Sequence, residues 1–329
     1  MRLALAGDTM LGRGVAERLA TEPPTSLIAA EIVSACREAD VVLLNLECCI
    51  SDRGRPWPDP AKPFFFRAPP AAVDLLGHLG VRCVTLANNH ALDFGDEGLE
   101  DTLAHLDAAG IAHVGAGQDQ QAARAPAVIE AGSFRLGVLG VSDHPEEFAA
   151  GPARPGIAFA DLHREVPPWL TESVGSVHAD AVLVTPHWGP NMTPEPVGHV
   201  RRAARALTEA GATLVAGHSA HVFHGVSGPV LFDLGDFLDD YAADSMLRTD
   251  LGLLWLVELG AEGPVRLEAL PLRLDYCFTG PAQGEDAAWV RRRFGAACAA
   301  MGTTVADEDG RLVVRWPRPA TPRAGRAPR

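Results

Sequence analysis

The chain reads as a layered α/β protein, and three features of its hydropathy pattern say so. Short apolar runs rich in Val, Leu and Ala recur along its length, bounded by Gly, Pro, Asp or Asn. Amphipathic helical patterns lie between the early runs, and polar residues of ligand type follow their carboxyl ends. Continuous short apolar runs are strands covered on both faces. Their alternation with helices places those helices on the faces of a sheet.

Taken in order, Leu3–Ala6 is the first strand and runs into Gly7-Asp8. Gly12 and Gly14 then suit a strand-to-helix turn whose helix start could bind an anion. A helical pattern at 28–37 precedes the strand Val41–Leu46, which ends in Asn45-Leu46-Glu47. The Pro-rich stretch 55–70 is a long loop, and loops of that length often carry function. A helix at 71–79 leads to a strand at 81–86, followed by Asn88-Asn89-His90. The pattern at 98–109 carries Leu99, Leu103 and Leu106 on one face and stops at Gly110. Strands at 136–141 and 181–184 follow, the second leading to His187-Trp188-Gly189. A helix at 200–210 shows Arg201, Arg202 and Arg205 on its polar face and stops at Gly211. Both glycines fit helix C-terminal caps. The run at 213–216 ends in Gly217-His218, with His221 close behind. From Pro229 onward strands follow one another, at 230–232, 251–259 and 265–274, which predicts an antiparallel second half. A helix at 285–301 and a short strand, Arg311–Arg315, close one domain spanning 1–316. The tail 317–329 holds four Pro, four Arg and no acidic residue. It has nothing to bury and is expected to be disordered.

Composition sets the outer limits. With 329 residues, 47% of them hydrophobic, there is ample material for a core. A disordered chain, a collagen-like repeat and a disulfide miniprotein are excluded. The 28 basic and 42 acidic residues leave a net charge of −14, which argues against nucleic acid as a partner. Lys62 is the sole lysine. Six cysteines form no CxxC pair and several sit in apolar runs, as expected for core residues in a reducing compartment. No apolar stretch reaches the length of a membrane span. Asp8 follows the first residue so closely that no signal peptide fits. The expectation is a cytoplasmic protein with no membrane span.

In α/β sheets, sites form beyond the carboxyl ends of strands. Five strands here deliver Asp8, Glu47, Asn89, His187 and His218 to such ends. Each alone reads as a cap or a surface group; together they make a constellation.

The segments around these residues resemble the CapA family of poly-γ-glutamate capsule-synthesis proteins, which looks like a branch of the calcineurin-like metallophosphatases. The matching segments are GDTMLGRGV at 7–15, NLE at 45–47, FRAPP at 66–70 and LANNHALDFG at 86–95. They continue with SDHP at 142–145, HWG at 187–189, GHSAHVFHG at 217–225 and LGDFLDDY at 234–241. The resemblance implies a four-layer α/β/β/α sandwich, metallophosphatase-like, with mixed sheets and the site at the C-terminal ends of strands. It also implies one or two divalent ions of the Mn, Zn or Fe class. Asp8 would be the first ligand and Glu47 would stand where the bridging carboxylate belongs. Asn89 would be the amide ligand, His187 and His218 imidazole ligands, and His221 a candidate for the last. His90 would be a supporting residue or an acid for the leaving group.

Departures from the phosphatase pattern open other readings. Met10 stands where an imidazole usually does, and a thioether is a poor ligand for hard ions. Ala220 takes the place of the second histidine of Gly-His-x-His, with His221 one residue later. The ion position using Asp8, Glu47 and His221 is therefore expected to be weakened. The leading expectation is metal-assisted hydrolysis of a phosphoester or related bond, on a peptide-like or phosphorylated small substrate. A second reading is metal-free. Asp8 with His218 or His221 would move a proton at a peptide Cα and epimerise it. A third is a binding subunit in capsule poly-γ-glutamate synthesis, against which the acidic charge and the missing anchor weigh.

Further candidates sit nearby. Arg67, after Phe64-Phe65-Phe66, could clamp a substrate carboxylate or phosphate. Asp143 and His144 could line the pocket, and Trp188 could stack on substrate. Asp236, Asp239, Asp240 and Tyr241 read as braces for a turn after Gly235, and His224 as a loop residue. His78, His105, His113, His163, His178 and His199 read as surface groups.

Overall fold

The computed structural model describes residues 1–316, so the Pro/Arg tail expected at 317–329 lies outside the described residues. Two mixed sheets dominate. The larger runs, edge to edge, through Ala306–Glu308, Arg311–Arg315, Gly263–Asp275, Leu251–Gly260, Arg2–Thr9, Val41–Leu46, Val81–Thr85 and Ala112–Val114. The smaller runs through Val226–Ser227, Val230–Leu231, Leu214–Ala216, Ala181–His187, Phe134–Ser142 and Ala127–Ala131.

Period-two alternation explains how they stack. Leu3, Leu5, Val41 and Leu43 point inward and meet Leu136, Val138, Leu183 and Leu214 of the other sheet. Their neighbours Ala4, Ala6, Val42 and Leu44 point outward, onto Val15, Leu19, Ile32, Leu75 and Leu99 of four helices. On the far side Leu139, Val182, Val184 and Val215 pack against Leu170, Val174, Ala203 and Leu207. The result is helices, sheet, sheet, helices, the expected α/β/β/α sandwich. The last helix, Gly284–Ala300, adds Val290, Phe294 and Cys298 to the layer between the sheets. All six cysteines are free and buried.

The helix stops behave as read. Gly110 at φ +68° and Gly211 at φ +112° take the backbone past the ends of Gly95–Ala108 and Gly198–Glu209. The second half is less purely antiparallel than expected. Val230–Leu231 pairs parallel with Leu214–Ala216, and Asp236–Leu238 pairs parallel with the end of the first strand. That last pairing needs Gly7, because a Cβ there would stand 1.7 Å from the Gly235 carbonyl oxygen.

Candidate metal centre

Parallel register brings the strand ends together. Asp8 lies opposite Asn45 on one side and Asp236 on the other, and His187 bridges to His218 in the second sheet. His218 Nδ1 is 2.9 Å from Asp8 Oδ1, so the two sheets are joined at this edge. Asn45 Nδ2 donates to Asp8 Oδ1 at 2.8 Å and lies 3.2 Å from Glu47 Oε2. Asn88 in turn donates to Asn45 Oδ1, and its own Oδ1 accepts the His90 backbone N–H. Two amides thus hold Asp8, Glu47 and His90 in one arrangement.

The loop after His218 is conformationally unusual. Ser219 at φ +106° and His221 at φ +57° lie at positive φ, which side chains seldom adopt. Asp233 anchors the loop by accepting from Ala220 N at 2.8 Å and Gly235 N at 2.9 Å. Ala220 is thereby buried, and His221 turns to Asp236 Oδ1 at 2.8 Å and Asp8 Oδ2 at 3.4 Å. Both histidines reach Asp8: His218 from within, His221 from the wall of a cavity of about 460 Å³. Asn89, His90, Asp236, Tyr241, Lys62 and Phe64 share that wall. Lys62 and Phe64 come from the Pro-rich loop, so the loop does cover the site.

Whether these residues suit a divalent ion is tested by their free atoms. Glu47 Oε1, Asn89 Oδ1, His187 Nε2, His218 Nε2 and Asp236 Oδ2 are buried, and no described residue hydrogen-bonds to them. Buried polar atoms are rarely left so, and all five are of metal-ligand type. Asp8, His221 and Asp236 have ligand atoms within 4.8 Å of one another, as do Asp8, Glu47 and His187. Asp8, not Glu47, is common to both trios. Asp236 offers the ligand that Met10 does not, since Met10 is buried in the core among helix residues. A carboxylate that could serve the expected weak position thus comes from a strand that sequence reading took for a turn brace.

The electrostatics agree. Burial, then the Asp8 charge, pushes the Glu47 carboxyl far above the usual range. Burial raises Asp236 to about 6, and burial with Asp236 beside it raises Asp239 to about 8. Burial opposes ionisation of Asp8 too, but the His218 hydrogen bond and the His218, His221 and His187 charges hold it below its usual value. Burial, then His144, keeps His187 neutral and so available as a ligand. His221 goes the other way: burial would lower it, yet Asp236, Glu47 and Asp8 together raise it. So many buried carboxylates repel one another, and a bound cation offsets that repulsion.

Other expected residues are placed differently. Arg67 lies over the Phe94 ring, 4.2 Å from its centroid, and donates to Arg53 O; it does not line the cavity. The cation that lines it is Lys62, 2.9 Å from Asp93; Arg13, 3.2 Å from Asp240, lies behind the wall beside Phe64, Phe66 and Tyr241. Trp188 is buried, donates to Phe232 O and serves packing. His144 lies with its ring 5.1 Å from that of His187, whereas Asp143 turns toward His199. The expected anion at the Gly12–Gly14 turn is the chain's own Asp240, accepting from Gly14 N at 3.0 Å. His224 is held by Thr193 O. Sequence reading missed Asp93, which bonds His90 Nδ1 at 2.6 Å.

The fold is thus a four-layer sandwich that gathers histidines and carboxylates at its strand ends. Within it, residues 2–241 match the model of the bacterial capsule synthesis protein PGA_cap, and the chain belongs to that family. It is 35% identical to the "Probable polyglutamine synthesis accessory protein" of Mycobacterium tuberculosis H37Rv, over 78% of this chain and 73% of that protein. It is 28% identical to the PGA biosynthesis protein CapA of Bacillus subtilis, over 85% of this chain and 73% of that protein. Among solved structures, a 5'-nucleotidase from Candida albicans aligns over 83% of this chain and 51% of that one, with TM-score 0.45 and 10% identity. Among the described residues, no helix is long and apolar enough to cross a membrane.

Proposed function

We propose that the chain is a hydrolase of phosphoesters or related bonds that works with one or two divalent ions of the Mn, Zn or Fe class. Asp8, Glu47, Asn89, His187, His218, His221 and Asp236 would hold them. The observation that carries this reading is five buried ligand-type atoms that no described residue satisfies, beside two trios of close ligand atoms that share Asp8. Ions bound there would polarise an ester oxygen and ease the ionisation of water. The remaining work falls to the chain. Asp93 holds a proton on His90 Nδ1, which leaves Nε2, 3.8 Å from Glu47 Oε1, to take or return a proton at the leaving oxygen. Lys62 donates to Asn89 O and holds the covering loop against the Asn89 turn. Phe64 and Tyr241 give the cavity apolar walls that exclude water. The substrate is peptide-like or a small phosphorylated molecule.

The relatives' names favour an accessory role in polymer synthesis, with this cavity as the binding site. Epimerisation is less well served. Asp8 and His218 are both fully buried and bonded to each other, whereas inversion at Cα needs an acid and a base on opposite faces of the substrate.

The test is metal content after purification without added metal or chelator, followed by hydrolysis of aryl phosphate mono- and diesters. One or two bound ions and chelator-sensitive turnover are expected. Protein that holds no ion and takes up none from Mn²⁺, Zn²⁺ or Fe²⁺ overturns the reading. Deuterium entering a peptide Cα from D2O without metal would favour epimerisation instead.

A further inference from the structure

Three side chains outside this centre come together in a way the surface reading of His163 and His199 did not foresee. Asp143 directly follows the strand Phe134–Ser142, His199 stands in the first turn of the helix Gly198–Glu209, and His163 lies in the loop before the helix Pro168–Ser176. One ligand atom from each lies within 4.8 Å of the other two. His199 Nε2 is 3.2 Å from Asp143 Oδ2. Two ligands at zinc distances on a tetrahedral ion stand about 3.3 Å apart. The His163 and His199 rings stack with centroids 3.8 Å apart and planes 30° apart; two imidazoles on one tetrahedral ion have centroids about 5 Å apart, so the exposed His163 ring must turn to bind. The Asp143 side chain is fully buried and that of His199 nearly so, while His163 is exposed. A cavity of about 440 Å³, lined by His144, His163, Asn191 and His199, opens beside them.

We infer that Asp143, His163 and His199 form a second metal site, separate from the strand-end centre, for one divalent ion of the zinc class. Two imidazoles and one carboxylate are a donor set such ions take, with further positions left for water. Hydrogen bonds already orient the carboxylate. Asp143 Oδ2 accepts from Gly189 N at 3.0 Å, Oδ1 meets His144 Nδ1, and the Asp143 N–H donates to His187 O at 3.1 Å. Such support around a ligand is what sets metal affinity. An ion there ties the 161–167 loop and the start of the Gly198–Glu209 helix to the strand end that carries His187. Its role is to hold that end in place from outside the cavity.

The test uses the full chain stripped of metal and titrated with Zn²⁺ against a chromogenic chelator, with Co²⁺ as a spectroscopic probe. Wild type is expected to bind one equivalent more than His163→Ala or His199→Ala, whose lost site weakens by roughly 10–100-fold or more. His163 is exposed, so His163→Ala removes little packing, and His163→Gln repeats the test with a side chain that keeps its bulk. Equal stoichiometry and equal affinity in wild type and all three variants overturn the inference. It stands apart from the proposed reaction: the equivalent lost in His163→Ala is measured whether or not the central residues bind metal.

Discussion

Asp8 Oδ1 and His218 Nδ1, 210 positions apart in sequence, lie 2.9 Å apart and link the ends of the two sheets. This pair is the hinge of the centre. Asp8 also accepts from Asn45 Nδ2 and, at 3.3 Å, from Ser219 N.

Asp8→Asn is therefore expected to remove bound metal and to lower hydrolysis by at least about 100-fold, since Asp8 belongs to both ligand trios. Elemental analysis and turnover, measured on the same preparation, check it. Full metal content in the variant would take Asp8 out of the ligand set.

His90→Ala should separate chemistry from binding. His90 touches Asp93 and approaches Glu47 but belongs to neither trio. The expected result is unchanged metal content with kcat reduced by roughly 10²–10⁴-fold. Asp93→Asn should lower kcat less, through loss of the His90 orientation. It should also lower Tm, because Asp93 accepts from Phe66 N and pairs with Lys62.

Gly7→Ala tests the close approach of the first strand to Gly235. The added methyl would overlap the Gly235 carbonyl oxygen, whose bond to Asp8 N is 2.9 Å. A loss of at least about 3 kcal/mol in urea unfolding is expected. Wild-type stability would show that the two strands can part without cost.

Acid titration should report on the sheet edge. Hydrogen bonds from Arg315 and Arg266 lower the Glu308 carboxyl from 4.5 to about 2. A carboxyl depressed on folding contributes stability above its unfolded value and loses it as pH falls toward the folded one. The Tm difference between wild type and Glu308→Gln should be constant above about pH 5 and shrink between pH 4.5 and 2. A difference that does not change over that interval contradicts the pairing.

Much of this molecule was legible in its sequence, for physical reasons. Apolar runs buried on both faces announce strands, and polar residues just beyond them have nowhere to go but the sheet edge. Asp8, Glu47, Asn89, His187, His218 and His221 were expected at one sheet edge in that way, and the structure gathers them there. Asp236 was not, because its partner is the first strand and no local pattern records that pairing. One signal was present: Gly235-Asp236 repeats the Gly7-Asp8 dipeptide, and the two aspartates are in register. His163 and His199 escaped because they meet only through the turn of the backbone around Asp143. Arg67 and Trp188 misled in the opposite sense. Aromatic neighbours suggested a binding surface, but a guanidinium over a ring and a buried indole serve packing equally well.

The place of the first strand has a consequence for how the chain is made. Arg2–Thr9 is made before either neighbour and finds one once Val41–Leu46 follows, but its other neighbour is Leu251–Gly260. Until that strand is made the second edge stays unpaired, and pairings that distant in sequence are slow to form. Asp8, at the strand's end, waits as well for His218 and Asp236. The strand-end cluster is therefore assembled only once residues 218–260 have been made, and until then the free edge of the first strand is open to non-native pairing.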